Sequence, residues 1–492
     1  MAFLAVFSTL LVFSVFIAAH SFVPKIKRWH LRRTAYVRHG CQHPPSYPHK
    51  NPYGFDLMEL SKEAYQAHRY LDFTGALFAR YGKTYQIKQS GKTIIRTADP
   101  EVCKAIYATH FENFGLQPIR YEGGKGFFGN GILVTDGQRW KRSRALLRPA
   151  FDVAHVANFE RLEKHVSRFL KLLPRDGSTV DLMPGLKRLT LDISTDFIFG
   201  KSMNALESPE ACQDFLRAFT SAQRGVVTPE AARDKDFEQA CKQILDFIDE
   251  RVEEAFARSA SGKANANSRE RVRLIDELIK ETQDRISLRY LVLSAFSPAH
   301  DTVAVTLTNT FFHLARNPTS WNKLRSEILP TSSRPLTYEL LNSYRYLDWV
   351  LKETHRITPV APASQRQCLT STVLSTGSGL DGLSPLFIEA GTIVETNFRA
   401  MQRDKTYWGE DTEVFRPERW EAVRPGWRYI PFSGGPRICP AMKLVYTECG
   451  YVLVRMLREY ARLECRDPIH EWVEERRLIY QSKNGALVGL VP

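Results

Sequence analysis

The sequence predicts a mainly helical protein with a minor β portion, in which one large globular body follows a single N-terminal transmembrane helix. Hydrophobic residues make up 43% of the 492 residues and charged residues 25%, a balance typical of a globular protein with a sizeable core. Long stretches of the body have apolar residues at helical spacing, whereas strand-like alternation is confined to short runs. The first 23 residues are uncharged and dominated by Phe, Leu, Val, Ile and Ala.

Residues 1–23 are the predicted transmembrane anchor. At about 1.5 Å per residue, a helix of this length crosses the roughly 30 Å hydrocarbon layer of a bilayer. Basic residues follow directly, and the first acidic residue is Asp56. This placement predicts that the rest of the chain stays in the cytoplasm. A cleaved secretory signal is the alternative, but the usual cationic start is missing and the apolar run is longer than a typical signal.

Residues 24–53 are a predicted basic and Pro-rich linker, and they carry much of the imbalance behind the formal net charge of +14. No basic run interleaved with aromatic residues recurs in the body, so nucleic-acid binding is not predicted.

The eight cysteines show no paired spacing. Neither a disulfide framework nor a zinc site is therefore predicted, which agrees with a reducing compartment.

The first part of the body combines helical and strand-like runs. Helical spacing begins at Ser61–Tyr81, and two strand-like runs, Lys83–Gln89 and Thr93–Ala98, are separated by a Ser-Gly pair that predicts a hairpin. The glycine-rich stretch Phe111–Gly131 predicts an irregular segment that could cover a pocket. Further strand-like runs with Gly/Ser turns fill Cys368–Thr396, the second part of the minor β portion.

A cationic helix is predicted to open at Asp136. Trp140 and Arg144 stand four residues apart on one face of this helix. Taken alone, this pair indicates side-chain packing as readily as binding. Arg139 and Lys141 add charge to the helix, which is consistent with a solvated surface or with a docking surface for an acidic partner.

The longest predicted helix, Leu288–Arg316, is apolar except at its centre. Pro298, His300 and Asp301 would be costly inside lipid, so this helix is predicted to cross the core of the body and not a membrane. The central proline frees a backbone carbonyl and leaves a notch for water or a small ligand. Asp301 and the adjacent Thr302 pair a carboxylate with a hydroxyl, and together these groups can pass protons.

Glu353 and Arg356 lie three residues apart at the end of a helical run and can pair across one turn. Such a pair is common and usually solvated. Two prolines and Arg366 follow, and Arg419 lies about fifty residues further on.

The segment Pro431–Ala441 presents a single cysteine just ahead of an apolar helical run, Met442–Tyr460. Its paired glycines allow positive φ and the close approach of a flat ligand. Pro440 suits the first helical position, and the helix dipole favours an ionised sulfur at Cys439. A thiolate beside a glycine platform is what an axial ligand to haem iron requires. A buried free cysteine beside a turn is the alternative.

This segment matches the signature Phe-x-x-Gly-x-Arg-x-Cys of the cytochrome P-450 superfamily at Phe432, Gly435, Arg437 and Cys439. The chain therefore resembles that superfamily, although Ala441 stands where glycine is usual. Three further matches lie upstream in the family's order, so the resemblance covers nearly the whole chain beyond the anchor. It implies the cytochrome P-450 fold and a haem-thiolate monooxygenase domain over residues 54–492.

The resemblance also implies roles for the upstream residues. Trp140, Arg144 and Arg366 would meet the haem propionates. Glu353, Arg356 and Arg419 would form a buried charge network that braces the haem-binding loop. The oxygen-activation motif of the family aligns with Pro298–Val303, where only the acid and the first threonine are kept, and this implies Asp301 and Thr302 as the proton relay.

As its cofactor the resemblance implies haem b, iron protoporphyrin IX, with Cys439 as the axial thiolate. It implies dioxygen as co-substrate, an NADPH-dependent flavoprotein reductase as electron donor, with cytochrome b5 as a possible second donor, and a single-pass location in the endoplasmic reticulum membrane. The runs His39–Cys41 and Arg148–Phe151 resemble the fungal microsomal branch that hydroxylates alkanes and fatty acids, and enzymes of terpenoid and polyketide pathways share them. The expected substrate is hydrophobic and aliphatic, or an intermediate of secondary metabolism.

Two other classes of protein stay open at this point. A haem-thiolate isomerase or dehydratase would keep Cys439 and Arg356 but would need neither a relay nor a reductase, and the altered motif at Pro298–Val303 is compatible with it. A non-catalytic haem protein that carries electrons is the lesser alternative.

Overall fold

The computed structural model describes residues 26–27, 29–151, 158–227, 234–261 and 273–492. The predicted anchor, residues 1–23, lies outside these ranges. Within the ranges, no helix is both long enough and apolar enough to cross a bilayer. Residues 29–38, within the predicted linker, are helical.

Helices dominate the body, as the sequence predicts. In chain order they are α1 (Phe55–Gln66), α2 (Tyr70–Tyr81), α3 (Pro100–Lys104), α4 (Gln117–Phe128), α5 (Gly137–Leu147), α6 (Phe159–Leu172), α7 (Leu182–Phe199), α8 (Gln213–Val227), α9 (Lys235–Ala260), α10 (Leu274–Glu281), α11 (Arg285–Arg316), α12 (Pro318–Ile328), α13 (Tyr338–Ser343), α14 (Arg345–Ile357), α15 (Phe398–Met401), α16 (Lys405–Trp408) and α17 (Met442–Glu459).

The strands form one larger sheet and three small ones. They are β1 (Thr84–Gln89), β2 (Lys92–Thr97), β3 (Phe114–Gly115), β4 (Thr179–Asp181), β5 (Ala363–Cys368), β6 (Thr372–Ser378), β7 (Ser384–Ile388), β8 (Ile393–Asn397), β9 (Arg462–Cys465), β10 (Glu474–Arg476), β11 (Tyr480–Ser482) and β12 (Leu487–Val491). The larger sheet has the order β1-β2-β8-β5-β3, in which β2 and β8 are parallel. The others are β4-β12-β9 and the hairpins β6-β7 and β10-β11.

Helix α11 organises the interior of the body. Its first half, through Phe296, packs in an aromatic-rich core with α4, α8, α9 and α10. Its second half, from Val303 onward, packs in a second core with α6, α7, α12, α14 and α17. Pro298 lies inside a continuous helix, and the Pro298–Thr302 segment falls at the junction of the two cores. The helix therefore crosses the protein interior, as predicted, and is not a second membrane span.

The hairpin of β1 and β2 confirms the sequence prediction, but two other predictions were wrong. The helical run predicted over Ser61–Tyr81 is two helices that are separated near His68, whose φ is +56°. The stretch Phe111–Gly131 is not irregular, because it contains α4. Its glycines serve close packing: a Cβ at Gly124 would lie 2.7 Å from a methyl carbon of Val134. Composition alone suggested flexibility where the tertiary contacts require small residues.

Candidate active site

The cysteine loop closes on itself ahead of α17. The backbone N–H of Cys439 donates to the carbonyl oxygen of Phe432 at 3.0 Å, and the N–H of Ile438 donates to the carbonyl of Gly435 at 3.1 Å. Helix α17 begins at Met442, so Pro440 is not at the first helical position, contrary to the sequence prediction. The bond from Cys439 to Phe432 holds the residue in the loop, and the helix can begin only after the chain has turned through Pro440.

The two glycines of the loop are needed for different reasons. Gly435 has a φ of +63°, and a Cβ there would lie 1.8 Å from the carbonyl oxygen of Tyr107. Gly434 is extended, with a φ of −149°, but a Cβ there would lie 2.4 Å from the ring of Trp427. Positive φ was therefore predicted correctly for Gly435 only. Both positions bring the loop backbone close to its neighbours, and neither places a side chain on the face of the loop that carries Cys439.

The Cys439 thiol is half-buried at this face. Burial raises the pKa of Cys439, while the N–H of Ala441 and the charge of Arg144 lower it, and burial is the strongest influence. The sequence predicts that the helix end keeps this sulfur ionised, and that prediction was wrong, because burial outweighs the helix end. A metal ion bound to the sulfur would keep it ionised, because a coordinating thiol loses its proton outright.

Arg437 connects the cysteine loop to the start of α5. Its Nη2 donates to Oδ1 of Asp136 and to the carbonyl of Thr135, both at 2.6 Å. Its guanidinium also lies over the ring of Trp140, 4.3 Å from the centroid. Oδ2 of Asp136 accepts two backbone N–H groups at the start of α4, from Leu116 and Gln117. One aspartate thus joins three elements around the loop.

Four arginines converge here. Burial lowers the pKa of Arg437 to about 9; Asp136 opposes this fall, and the charges of Arg366, Arg120 and Arg144 add to it. So much positive charge around one carboxylate favours bound anions. The donor set fits the two propionates of a haem, and the sulfur of Cys439 fits its iron.

Arg120 is the member of this group that sequence reasoning missed. It lies on α4, inside the stretch that was predicted to be irregular. Its Nη2 is 3.5 Å from the hydroxyl of Ser364, next to Arg366 on β5. Arg366 lies over the ring of Tyr107, 4.8 Å from the centroid. The usable signal was an arginine two residues after Pro118, a proline that can begin a helix.

Phe432 faces away from the arginines. Its ring packs against His355 at 4.9 Å and Tyr446 at 5.6 Å between centroids. It therefore supports the loop from the side of α14 and α17. The signature phenylalanine holds the position of the loop here, whereas the predicted ligand is the sulfur at the opposite end of the signature.

Asp301 and Thr302 lie at the centre of α11, at the junction of the two cores. The hydroxyl of Thr302 donates to the carbonyl oxygen of Pro298 at 2.8 Å. The carboxylate of Asp301 lies 3.7 Å from Nζ of Lys187 on α7. His300 is buried between Phe219 and Phe296, and neither of its ring nitrogens has a hydrogen-bond partner among the described residues. Burial lowers the pKa of His300 to about 4, so the ring is neutral near pH 7.

The structure brings Glu353, Arg356 and Arg419 together in a closed network. Oε1 of Glu353 accepts from Arg356 and Arg419 at 2.9 Å and from the N–H of Arg416 at 3.0 Å. Oε2 accepts from Nε of Arg356 at 2.9 Å and from the indole of Trp420 at 3.0 Å. These side chains are buried, and Glu353 and Arg356 have no exposed side-chain surface.

This network supports the cysteine loop through aromatic contacts. The ring of Trp420 lies 4.7 Å from that of Tyr429, which is two residues ahead of the loop. The hydroxyl of Tyr429 donates to the carbonyl of Lys352 on α14. The loop is thus attached to the helix that carries Glu353.

A helical body with a cysteine loop, a cluster of arginines and a long helix through the core has the donor set that a haem-thiolate protein requires. A model of the cytochrome P-450 family matches residues 45–486. The chain is 35% identical over 466 residues to cytochrome P-450 monooxygenase iccC of Talaromyces variabilis, which covers 92% of each chain. It is 32% identical to cytochrome P-450 monooxygenase apdE of Emericella nidulans, over 99% of this chain and 94% of that one. This protein belongs to the cytochrome P-450 family, and it is a monooxygenase.

Proposed function

We propose that this monooxygenase hydroxylates a hydrophobic small molecule, with electrons from NADPH that arrive through a flavoprotein reductase. The observation that carries the proposal is the cysteine loop with its arginines. Cys439 would be the axial ligand, and Arg120, Arg144, Arg366 and Arg437 would hold the two propionates. When bound, the haem supplies the activation of dioxygen; the polypeptide supplies binding, orientation and protons.

A hydrophobic substrate is supported by the apolar core beside the relay residues. The first half of α11 packs with α4 and α8 in a core rich in phenylalanine, including Phe127, Phe219 and Phe296. A cavity that forms beside these side chains would be apolar and would bind aliphatic groups by burial of apolar surface. An alkane, a fatty acid, a terpenoid or a polyketide intermediate would suit it, and we favour an intermediate of secondary metabolism. A set of such ligands, screened for the spectral change that follows loss of an iron-bound water, would identify the class.

Asp301 and Thr302 are the proposed proton relay. Thr302 keeps its hydroxyl fixed by its bond to Pro298, which leaves the oxygen lone pairs available to accept a proton. Asp301 presents a carboxylate one residue earlier. The two groups lie where the two cores meet. A proton that they pass therefore need not cross the aromatic-rich core.

Docking of a reductase is supported by the exposed face of α5. Arg139, Lys141 and Arg142 are exposed there, and Arg148 follows the helix. These cations would attract an acidic partner.

We also propose that residues 1–23 anchor the protein in the endoplasmic reticulum membrane. A variant without Met1–Val23 should be released from membranes, unless a second surface also binds lipid.

The ligand assignment is tested with a serine substitution. Cys439→Ser should lose the thiolate signature in the absorption spectrum of the reduced, carbon-monoxide-bound protein, because a serine oxygen is a different axial ligand. Cys465→Ser is the matched control, since Cys465 is also half-buried but lies outside the loop. An unchanged spectrum for Cys439→Ser would remove the assignment. Incorporation of labelled dioxygen into product by the unmodified protein tests the reaction itself.

A further inference from the structure

A polar chain leads from Asp301 to the C-terminal hairpin. Nζ of Lys187 lies 3.7 Å from Oδ1 of Asp301, and the two side chains are 18% and 7% exposed. The same Nζ donates to Oε1 of Gln481 on β11 at 2.7 Å. Gln481 is fully buried, and its amide group donates to a carboxylate oxygen of Glu475 on β10. Lys187 therefore joins the centre of α11 to the hairpin.

The outer end of this chain meets solvent. Glu475 lies 3.4 Å from Nε of Arg477, and the two side chains are about one third exposed. On the inner side, the neighbour of Asp301 is His300, whose contacts are the rings of Phe219 and Phe296. The surroundings of Asp301 are thus apolar toward α8 and polar toward α7 and the hairpin. A charged carboxylate is attracted to the polar side, toward α7 and the hairpin.

We propose that Lys187 is a positioning residue, which holds the carboxylate of Asp301 on the α7 side of helix α11 and is itself aligned by Gln481. The inference rests on the proposed role of Asp301 in the relay. An ammonium group attracts a carboxylate from 3.7 Å strongly when both are mostly buried. Without it, Asp301 would have no fixed orientation toward Thr302. Nothing in the sequence pattern pointed to Lys187 or to Gln481.

The attraction has a definite dependence on pH. Burial lowers the pKa of Lys187; Asp301 and Glu475 oppose this fall, and Arg477 adds to it. Asp301 faces Lys187 from α11, and Glu475 and Arg477 face it from the hairpin, while His300 is neutral. The attraction requires the charged amine. As pH rises through the lowered pKa of Lys187, the charge is lost and so is the orientation of Asp301.

The test compares three full-length, haem-loaded proteins. The measured quantity is the fraction of NADPH oxidation that ends in product, across a range of pH. In the unmodified protein this coupling should fall on the alkaline side. Lys187→Met should lower coupling severalfold at neutral pH and should show no further alkaline fall, because it has no charge to lose. Lys187→Arg, which stays charged, should restore coupling and remove the alkaline fall. Coupling of Lys187→Met equal to that of the unmodified protein would overturn the inference, as would a Lys187→Arg protein no better than Lys187→Met.

A second measurement does not depend on activity. Lys187→Met, Asp301→Asn and the double variant are unfolded in urea, and their effects should be non-additive, because either single change removes the same interaction. Additive effects would also overturn the inference. If Asp301→Asn uncouples the enzyme but Lys187→Met does not, only the role of Lys187 is lost. If Asp301→Asn remains fully coupled, the relay itself is wrong, and the role of Lys187 falls with it.

Discussion

Two buried carboxylates in this protein have opposite surroundings. Glu353 accepts hydrogen bonds on both oxygens, from two arginines, an indole and a backbone N–H. Asp301 has a cation at 3.7 Å and, beside it, a histidine whose two ring nitrogens find no hydrogen-bond partner in the part of the chain that the structure describes. A saturated network fixes structure, because any change leaves a charge unpaired. A carboxylate such as that of Asp301, whose oxygens can still accept hydrogen bonds, is able to exchange protons. The difference separates a structural support, Glu353, from a member of the proposed proton relay, Asp301.

The largest effect is expected at Glu353. Glu353→Gln removes the charge that balances Arg356 and Arg419, and this should lower the free energy of unfolding by about 3–5 kcal/mol. Urea unfolding and haem content measure the result. Asp411→Asn is the control: Asp411 also pairs with Arg419, at 3.3 Å, but its side chain is 36% exposed. A loss of at most about 1 kcal/mol is expected there. Equal losses of unfolding free energy in the two variants would show that the complete set of hydrogen bonds on Glu353 does not set its contribution to stability.

An intermediate effect is expected at His300, and it depends on pH. In the folded protein burial lowers the pKa of His300 from 6.5 to about 4. Between these values the unfolded chain binds more protons, so acidification should destabilise the protein by about 1.4 kcal/mol per pH unit from this site. His300→Leu should flatten the decline of stability between pH 6.5 and pH 4 and have little effect at pH 8.

Two other buried histidines act in the same direction, because burial lowers the pKa of His355 to about 4 and that of His313 to about 3. The decline should therefore be reduced in His300→Leu and not abolished. His470→Leu, at an exposed position, is the control and should keep the full decline. A slope in His300→Leu as steep as in the unmodified protein would contradict the burial argument.

The smallest effect on stability is expected at Thr302. Thr302→Ala removes one hydrogen bond to the carbonyl of Pro298, so unfolding should change by less than about 1 kcal/mol. Coupling of NADPH oxidation to product should nevertheless fall severalfold, because the relay loses its hydroxyl. Thr306→Ala is the matched control, since Thr306 makes the same bond one turn later, to Thr302. Undiminished coupling in Thr302→Ala would argue for another proton route.

Much of the candidate site was predictable from local sequence. The cysteine loop, the Trp140–Arg144 pair and the Glu353–Arg356 pair are short patterns whose members lie within a few residues of one another. The hairpin of β1 and β2 was predictable for the same reason, since its Ser-Gly turn lies between two short alternating runs. In each case the pattern itself lies within a few neighbouring positions, although distant residues complete the contacts of the cysteine loop and of Glu353.

Other features could not be predicted in this way. Arg120 joins the arginine cluster only because α4 packs beside β5, and the glycines in α4 concealed that helix. Lys187 and Gln481 are separated by 294 positions in the chain and meet through their hydrogen bond. The pKa of Cys439 is governed by burial more than by the helix end ahead of which it lies. Burial and long-range pairing depend on how elements pack, and a local pattern carries no information on either.

By itself, the sequence determined the helical class, the position of the sulfur and the order of the motifs, because spacing and residue chemistry are properties of neighbouring positions. Only the tertiary structure decided which charges share a site, which polar groups remain unsatisfied and what faces Asp301. These depend on the packing of distant elements around α11, where removal from water changes the free energy of every charged group.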